Sequence, residues 1–228
     1  MSDIRLHWTE RGQGAPLILL HGNGEDGGYF ENQLAHFSKN RRVIAPDTRG
    51  HGQSPRGGAP FTIRQFAEDL RLFMDALSIR QADILGFSDG GNIAMIFAMK
   101  YPDRVGKLIL NGANLDVRGV KPSVQIPIEI GYRVARLLAH WQPAARRRAE
   151  MLGLMVRDPN LRPSELSQIR AHTLVIAGDH DMIRDGHTRL IARSLPHAEL
   201  AILPGGHFIA RDNPEDFNRT VEAFLNAR

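Results

Sequence analysis

The sequence predicts an α/β fold with a mostly parallel central sheet flanked by helices. Short apolar runs recur along the 228 residues, and each is followed within two residues by Gly, Pro or Asn: Leu17–Leu20, Val43–Ala45, Ala82–Leu85, Leu108–Leu110, Thr173–Ala177 and Leu200–Leu203. Strands that are buried on both faces of a parallel sheet have this pattern. Segments with apolar residues every three or four positions alternate with the runs, as expected when helices connect parallel strands.

The first predicted element is an edge strand over Ile4–Thr9, where apolar and polar residues alternate. Three segments carry the helical period: Thr62–Ser78, Ser88–Lys100 and Pro214–Leu225. Thr62 is a residue type that commonly caps a helix N-terminus. These elements extend the strand-and-helix alternation over most of the chain.

The alternation stops between about 113 and 167, where no buried-strand run occurs. Helical pieces are predicted instead over Ile128–His140 and Ala144–Val156. Residues 117–165 are therefore predicted to be a helical insertion. The core of the fold would consist of residues 1–116 and 166–228.

Composition excludes several classes of protein. Hydrophobic residues make up 42% of the chain and charged residues 24%, as in soluble globular proteins and unlike disordered ones. The absence of cysteine excludes disulfides, a cysteine nucleophile and thiolate metal sites. It also suits a reducing cytoplasm, which is the predicted location. The polar stretch Met1–Glu10 lacks the apolar core of a signal peptide, and no apolar run is long enough to span a membrane.

The strongest chemical signal is the sequence G-x-S-x-G over Gly86–Gly90. It lies between a predicted strand and a predicted helix, which is the context that a nucleophile elbow requires. Small residues at Gly86 and Gly90 would relieve crowding at the tight turn, and Ser88 would be raised above the sheet at the helix N-terminus. The positive end of the helix there favours an anionic transition state.

A second signal is the glycine-containing loop that follows the first buried strand, His21–Gly24. Such a loop can supply one backbone donor of an oxyanion hole, and the residue after the nucleophile supplies the other. The predicted donors are the N–H groups of Asn23 and Asp89. His21 is predicted to organise this loop rather than to act as a base.

A serine hydroxyl needs a base, and that base needs an orienting acid. Of the ten histidines, His207 stands on a loop between the last strand and the last helix, at the sheet edge where catalytic groups gather. Asp181 follows the strand Thr173–Ala177 and is the candidate acid, with Asp179 as its rival. No histidine or carboxylate spacing indicates a metal site.

The chain resembles the α/β-hydrolase fold superfamily, and the resemblance covers nearly all of it. Asp47–Ser54 resembles the family's D-x-R-G-x-G-x-S loop, and Tyr101–Val105 resembles the turn that leaves the nucleophile helix. Gly178–Asp181 resembles the family's G-x-x-D, whose last residue is the triad acid, which favours Asp181. The helical insertion corresponds to the family's lid and is short.

The resemblance implies a serine hydrolase. Ser88 would attack a carbonyl carbon, His207 would accept the serine proton, and Asp181 would orient the imidazole. The N–H groups of Asn23 and Asp89 would hold the oxyanion, and water would then release the acyl group. No cofactor is expected, and the expected partner is a small-molecule acyl substrate.

The bond that is cleaved stays open among several classes. Relatives with an aspartate nucleophile are excluded by Ser88, which leaves ester, thioester, amide, lactone and carbon–carbon bonds. The main prediction is a small ester and a carboxylesterase-like activity. The alternatives are a carbon–carbon bond or lactone hydrolase of the same fold, and a non-catalytic binding protein that keeps the pocket without turnover.

Asp89 is a departure from many family members, which have an apolar, Met or Gln residue after the serine. The sequence S-D-G-G is similar to that of valacyclovir-hydrolase-like proteins, which implies a contact between this carboxylate and a substrate amine. The other interpretation is an acidic residue that interacts favourably with the helix N-terminus.

Apolar residues of the insertion are either an acyl pocket or the core of the lid itself. Ile130 and Trp141 are the candidates for substrate binding, together with further apolar residues at Ile126, Leu137, Leu152 and Met155. The helix Ile128–His140 also has the pattern of an amphipathic interfacial helix, although a lid helix that packs on the body is favoured.

The positive charge of the chain is concentrated in the insertion. The formal net charge is +4, but residues 117–170 contain ten basic and four acidic residues and leave the remainder at −2. Neither nucleic-acid binding nor stable membrane insertion is therefore expected, and the oligomeric state stays open. A positive lid could instead steer an anionic substrate toward the nucleophile.

Overall fold

One sheet organises the described residues 3–227 of this computed structural model. In chain order its strands are β1 (Trp8–Arg11), β2 (Pro16–Leu20), β3 (Arg42–Pro46), β4 (Ala82–Phe87), β5 (Val105–Asn111), β6 (His172–Gly178) and β7 (Ala198–Leu203). They lie in the spatial order β1-β3-β2-β4-β5-β6-β7. Only β1 pairs antiparallel, with β3, which confirms the predicted α/β fold and mostly parallel sheet. Met1, Ser2 and Arg228, which the predicted core includes, lie outside the described residues.

Helices flank both faces of the sheet. They are α1 (Glu31–Phe37), α2 (Ile63–Ala76), α3 (Asp89–Lys100), α4 (Pro122–Leu138), α5 (Pro143–Arg157), α6 (Asp185–Ser194), α7 (Ile209–Asp212) and α8 (Pro214–Asn226). Alternate residues of each strand bury against opposite faces. Ile18 of β2 packs with α2, α3 and α6, whereas Leu17 and Leu19 pack with α1 and α8.

The N-terminal strand differs from the prediction, because it covers Trp8–Arg11 rather than Ile4–Thr9. Residues ahead of Trp8 bind a loop instead of another strand. The N–H of His7 donates to Ser54 Oγ at 2.8 Å, and the His7 carbonyl accepts from the N–H of Asp47 at 2.9 Å. The alternation of apolar and polar residues ahead of Trp8 therefore reflects contact with a loop and not pairing in the sheet.

The helices predicted from the spacing of apolar residues are confirmed at most other positions. Thr62 caps α2 by accepting a hydrogen bond from the N–H of Gln65. Three helices, α1, α6 and the short α7, were not predicted. In the insertion, α4 begins at Pro122 and continues through Pro127, so it starts earlier than the predicted Ile128.

The segment between β5 and β6 contains the helices α4 and α5, which pack against each other. Short 3₁₀ turns at Val117–Gly119 and Pro163–Gln168 flank this pair. The division of the chain at residues 117 and 165 stays a prediction. Within residues 3–227, no helix has both the length and the apolar composition needed to cross a bilayer.

The sheet order changes direction between β2 and β4, since the chain goes from β2 to β3 on one side and to β4 on the other. Ligand sites in open α/β sheets lie at such a switch point, beyond the carboxyl ends of the strands. The loop after β2 and the turn after β4 therefore meet at the position where a site is expected.

Candidate active site

Ser88 lies on the sharp turn between β4 and α3, with φ 52° and ψ −118°. A positive φ is uncommon for a residue with a side chain and is frequent at functional sites. The backbone holds this conformation through a hydrogen bond of 2.8 Å from the Ser88 N–H to the carbonyl of Asn111 on β5. The neighbouring strand thus fixes the position of the hydroxyl.

The glycines around Ser88 are required by close backbone contacts. A Cβ on Gly86 would lie 2.3 Å from the carbonyl oxygen of Gly90, and one on Gly90 would lie 2.0 Å from that of Leu20. No side chain fits at either distance. The predicted need for small residues on both sides of the serine is therefore confirmed.

A hydrogen-bonded chain joins three of the predicted residues. His207 Nδ1 lies 2.7 Å from Asp181 Oδ1, and His207 Nε2 lies 3.1 Å from Ser88 Oγ. Since the carboxylate accepts the Nδ1 proton, Nε2 is free to accept the serine proton. Both partners of this hydrogen bond are buried, and the same Asp181 oxygen accepts a second hydrogen bond of 2.8 Å from the N–H of Ile183.

The rival acid, Asp179, is engaged elsewhere. Its Oδ1 lies 2.7 Å from His180 Nδ1 and accepts a hydrogen bond of 2.9 Å from the N–H of Gly205. Its side chain is well exposed, whereas that of Asp181 is buried. The structure therefore brings Asp181 to His207, and Asp179 holds the loop that precedes the histidine.

The ring of His207 is held by residues that sequence reasoning missed. The ring centroids of Phe87 and His207 are 4.8 Å apart, and Tyr29 stacks on Phe87 at 4.5 Å. Gly112, with φ +59°, faces the imidazole so closely that a Cβ would lie 2.8 Å from His207 Cε1. No local motif indicates these contacts, because they join four separate parts of the chain.

The loop after β2 is ordered by buried hydrogen bonds. His21 Nε2 accepts from the N–H of Thr48 at 2.9 Å, so the proton on Nδ1 is donated to the carbonyl of Gly22 at 2.8 Å. Burial lowers the pKa of His21, which favours this neutral form. The prediction that His21 organises the loop is confirmed.

The same loop limits the choice of oxyanion donors. The N–H of Gly22 already donates to Glu25 Oε2 at 3.2 Å, so the next N–H along the loop is that of Asn23. The N–H of Asp89 lies in the first turn of α3, where backbone donors have no acceptor within the helix. Asn23 and Asp89 therefore remain the predicted oxyanion donors.

The side chains of these two residues form a link that the sequence does not indicate. Asn23 Nδ2 donates to Asp89 Oδ2 and to the carbonyl of Met151 on α5, both at 2.9 Å. Asp89 is buried, and burial raises its pKa to about 6. The Asn23 amide therefore links the nucleophile turn to α5.

A cleft of about 570 Å³ opens between the loop after β3 and the beginning of α5, and Met151 forms part of its wall. Three arginines line it, namely Arg56, Arg146 and Arg147. Arg56 binds Glu150 through two hydrogen bonds of 2.7 and 3.0 Å. The other two arginines are exposed and give this cleft a positive wall.

Two predicted substrate contacts are not buried in an apolar pocket. Ile130 is 56% exposed and Trp141 is 69% exposed. Both lie on the outer side of α4 and the turn after it, because the inner side is occupied by the buried residues Gln125, Tyr132 and Ala135. Neither residue therefore belongs to a buried lid core, and their contact with a substrate stays a prediction.

The described part of the chain contains no group of three or more His, Asp or Glu side chains placed to hold a metal ion. The arrangement that it does contain is a partly exposed hydroxyl, an imidazole that accepts its proton and a buried carboxylate. Such an arrangement can generate a nucleophile and return a proton to a leaving group.

Comparison with known proteins identifies the family and the fold of this chain. Residues 15–143 match the family model described as alpha/beta hydrolase fold. The chain is 32% identical over 218 residues to a 2-hydroxymuconate semialdehyde hydrolase of Pseudomonas sp. (strain CF600), covering 87% of this chain and 72% of that protein. It is 27% identical to 3-oxoadipate enol-lactonase 2 of Acinetobacter baylyi, covering 98% of this chain and 94% of the relative.

A solved structure shares the whole fold. The enol-lactonase of Burkholderia xenovorans LB400 superposes with a TM-score of 0.83 over 98% of this chain and 97% of its own. The two sequences are 24% identical, so this likeness concerns the fold.

Proposed function

Because this chain belongs to the α/β hydrolase fold family and is a hydrolase, we propose that it cleaves a carbon–carbon bond beside a carbonyl group, with Ser88, His207 and Asp181 as its catalytic triad. The observation that carries the proposal is the hydrogen-bonded chain from the serine hydroxyl through the imidazole to the buried carboxylate. Each member stands at the carboxyl end of a parallel strand, where the fold gathers catalytic groups.

The first step is attack by Ser88 Oγ on the substrate carbonyl carbon. His207 Nε2 accepts the hydroxyl proton as the new C–O bond forms, and Asp181 stabilises the resulting imidazolium. The carbonyl π electrons move to oxygen, and this oxyanion is held by the N–H groups of Asn23 and Asp89. Removal of one donor of this kind costs on the order of 10²–10³ in kcat in other serine hydrolases.

The second step breaks the bond on the other side of the carbonyl carbon. The oxyanion re-forms the carbonyl double bond, and the electron pair of the broken carbon–carbon bond leaves with the departing carbon. That pair is stabilised as a dienolate when the departing carbon is conjugated to a ketone, as in the keto tautomer of a 2-hydroxydienoate, and the proton on His207 is returned to this leaving group. Water then attacks the acyl-Ser88 ester with His207 as base, which releases a carboxylic acid and restores the serine.

The choice of bond is supported by the names of the relatives. A 2-hydroxymuconate semialdehyde is an open carbon chain without an ester linkage, so its hydrolysis requires a carbon–carbon cleavage. An enol-lactone is a cyclic ester, and its opening shares the first step. These names support the predicted alternative, a carbon–carbon bond or lactone hydrolase, better than the main prediction of a small ester. Lactone opening is the second candidate.

Charge near the nucleophile limits how such a substrate can bind. The names of both relatives denote carboxylates, and an ionised Asp89 would repel a carboxylate placed beside Ser88. We place the substrate carboxylate toward Arg146 and Arg147, at the positive cleft that Met151 joins to the site. The insertion would then act as the lid over the reacting carbonyl.

The proposal is tested by comparing three substrates: a 2-hydroxy-6-oxodienoate, an enol-lactone and p-nitrophenyl acetate. We expect the highest kcat/KM for the dienoate. Its turnover is monitored by the loss of its absorbance as two products form. Ser88→Ala should lower kcat on the order of 10⁶-fold with an unchanged melting temperature, because the nucleophile is lost and no buried contact is removed.

The outcomes separate the candidates. Turnover of the lactone alone would favour lactone opening over carbon–carbon cleavage. A preference for p-nitrophenyl acetate would favour the main prediction from sequence, a small-ester hydrolase. Preference for amino-acid esters that disappears in Asp89→Asn would support an amine contact at Asp89. Raising the salt concentration should lower kcat/KM for the dienoate and leave that for the neutral ester unchanged.

A further inference from the structure

The outer side of α4 carries a continuous apolar surface. Eight large apolar side chains are exposed among the described residues, and six of them stand on α4 or the turn after it: Ile126, Ile130, Val134, Leu137, Leu138 and Trp141. Their spacing of three and four residues places them on one side of the helix. We call these six residues the α4 surface.

The two sides of the helix are used differently. On the inner side, the Gln125 side chain donates to the carbonyl of Met155 on α5 at 3.4 Å, and the buried ring of Tyr132 lies beneath the guanidinium of Arg157. The α4 surface is directed away from these contacts, and Leu137 is 67% exposed. Contiguous apolar exposure of this kind marks a binding surface in soluble proteins.

Basic residues border the α4 surface on both edges. Arg133 and Arg136 are exposed on α4 itself, Arg133 about one turn from both Ile130 and Leu137, and Arg136 directly before Leu137. On the other edge, Arg148 of α5 lines a shallow groove together with Val134 and Leu138. An apolar stripe with flanking arginines and a tryptophan at its end is the composition of helices that lie in the surface of a membrane.

We propose that the α4 surface docks this protein on anionic lipid membranes, as a peripheral contact. Ile130, Leu137 and Trp141 enter the acyl boundary, and Arg133, Arg136 and Arg148 bind the lipid phosphates. The docking concerns the outer side of the insertion and does not depend on the reaction proposed for Ser88.

Charge selects the membrane over a second copy of the chain. Residues 117–170 carry a net charge of +6. Two copies that paired through this surface would bring the same arginines together on both edges, and like charges across an interface are unfavourable. An anionic lipid surface attracts each of these arginines instead.

Trp141 provides a direct probe. The chain contains two tryptophans, so Trp8→Phe leaves Trp141 as the single reporter. We expect its fluorescence to shift to shorter wavelength when vesicles of equal parts phosphatidylglycerol and phosphatidylcholine are added, and to stay unchanged with phosphatidylcholine alone. The same protein should sediment with the first vesicles and be released by salt.

Matched variants locate the contact. Leu137→Ser should lower the vesicle partition coefficient about tenfold. The leucine side chain is expected to be about half buried in the lipid, and the substitution removes the free energy of that apolar burial. Leu200→Ser, at an exposed leucine of β7, should leave it unchanged. Arg133→Gln with Arg136→Gln should lower it by more than tenfold, whereas Lys39→Gln with Arg193→Gln, at exposed sites on other elements, should have much less effect.

Three results would overturn the proposal. The first is the absence of sedimentation with anionic vesicles at low salt, and the second is equal binding by Leu137→Ser and the parent. The third is a stable dimer, measured by sedimentation velocity, that Leu137→Ser converts to monomers, since the α4 surface would then join two copies. Unchanged circular dichroism and melting temperature of each variant exclude unfolding as a cause.

Discussion

The sheet edge around Ser88 and the α4–α5 hairpin differ in how their characteristic side chains are exposed to solvent. At the edge, His207 and Asp181 are buried and hydrogen-bonded, and the backbone around Ser88 leaves no room for a Cβ at Gly86 or Gly90. On the hairpin, large apolar side chains face outward. A buried polar group costs free energy unless it is paired, so the edge is closely determined, whereas the outer side of the hairpin is free to serve a partner.

Charge follows the same division. The segment 117–170 is strongly positive, while the rest of the chain is slightly negative. The two regions meet at Asn23, whose amide joins Asp89 at the edge to Met151 on the hairpin. The proposed reaction and most of the positive charge therefore belong to different regions, which contact each other through these hydrogen bonds, the Arg56–Glu150 pair and buried apolar residues such as Leu154.

The largest expected effect separates two aspartates on one loop. Asp181→Asn should lower kcat about 10⁴-fold, because an amide does not stabilise the imidazolium or hold the correct tautomer. Asp179→Asn should change kcat less than tenfold, because the Asp179 carboxylate contacts His180 and Gly205 rather than His207 and is well exposed. Steady-state kinetics on the dienoate measures both. Equal losses in the two variants would break the assignment of Asp181.

A pair of leucines compares the two regions in stability. Leu85 on β4 is fully buried, so Leu85→Ala should lower the free energy of unfolding by about 2–5 kcal/mol. Leu137→Ala, on the α4 surface, should change it by less than about 0.5 kcal/mol. Urea denaturation gives both values. A large loss at Leu137 would mean that this side chain packs in the folded chain and is not available to a membrane.

The smallest expected effect concerns Asp89 and pH. Burial raises the pKa of Asp89 from 3.8 to about 6. Between these values the folded protein keeps a proton that the unfolded chain has released, so this group's contribution to stability falls as pH rises and is constant above 6. Asp89→Asn, which cannot ionise, should therefore gain stability relative to the parent across this window, by on the order of 3 kcal/mol.

Urea denaturation at pH 4, 5, 6 and 7 measures the difference between Asp89→Asn and its parent. Asp103→Asn serves as the control, because the Asp103 side chain is almost fully exposed. If the difference in the free energy of unfolding between the parent and Asp89→Asn stayed constant with pH, burial would not raise the pKa of Asp89. The contact between Asp89 and Asn23 would then have no pH-dependent electrostatic contribution.

Much of the sheet edge could be predicted from sequence because local geometry determines it. The glycines at 86 and 90 indicate a tight turn, because no other residue fits at these positions. Short apolar runs indicate strands that are buried on both faces of the sheet. The order Ser88, Asp181, His207 then follows from where the strands end. The aromatic stack of Tyr29 on Phe87 could not be predicted, because it depends on how distant segments pack.

The hairpin was predicted less well for a physical reason. Helical periodicity shows that one side of a helix is apolar, but it does not show whether that side faces the protein or the outside. Ile130 and Trp141 were candidates for an acyl pocket or for the core of the lid, and both side chains are exposed in the structure. The predicted helix began at Ile128, whereas α4 begins at Pro122 and continues through Pro127, a residue type that usually disrupts a helix interior.

The central claim, that Ser88 is a nucleophile activated by His207, is tested most directly by a fluorophosphonate probe and peptide mass spectrometry. The account predicts one adduct on Ser88 in the parent protein, no adduct in Ser88→Ala and labelling slowed by several orders of magnitude in His207→Ala. An unlabelled parent, or an adduct that survives Ser88→Ala, would contradict it and would favour a binding protein that keeps the hydrolase fold without turnover.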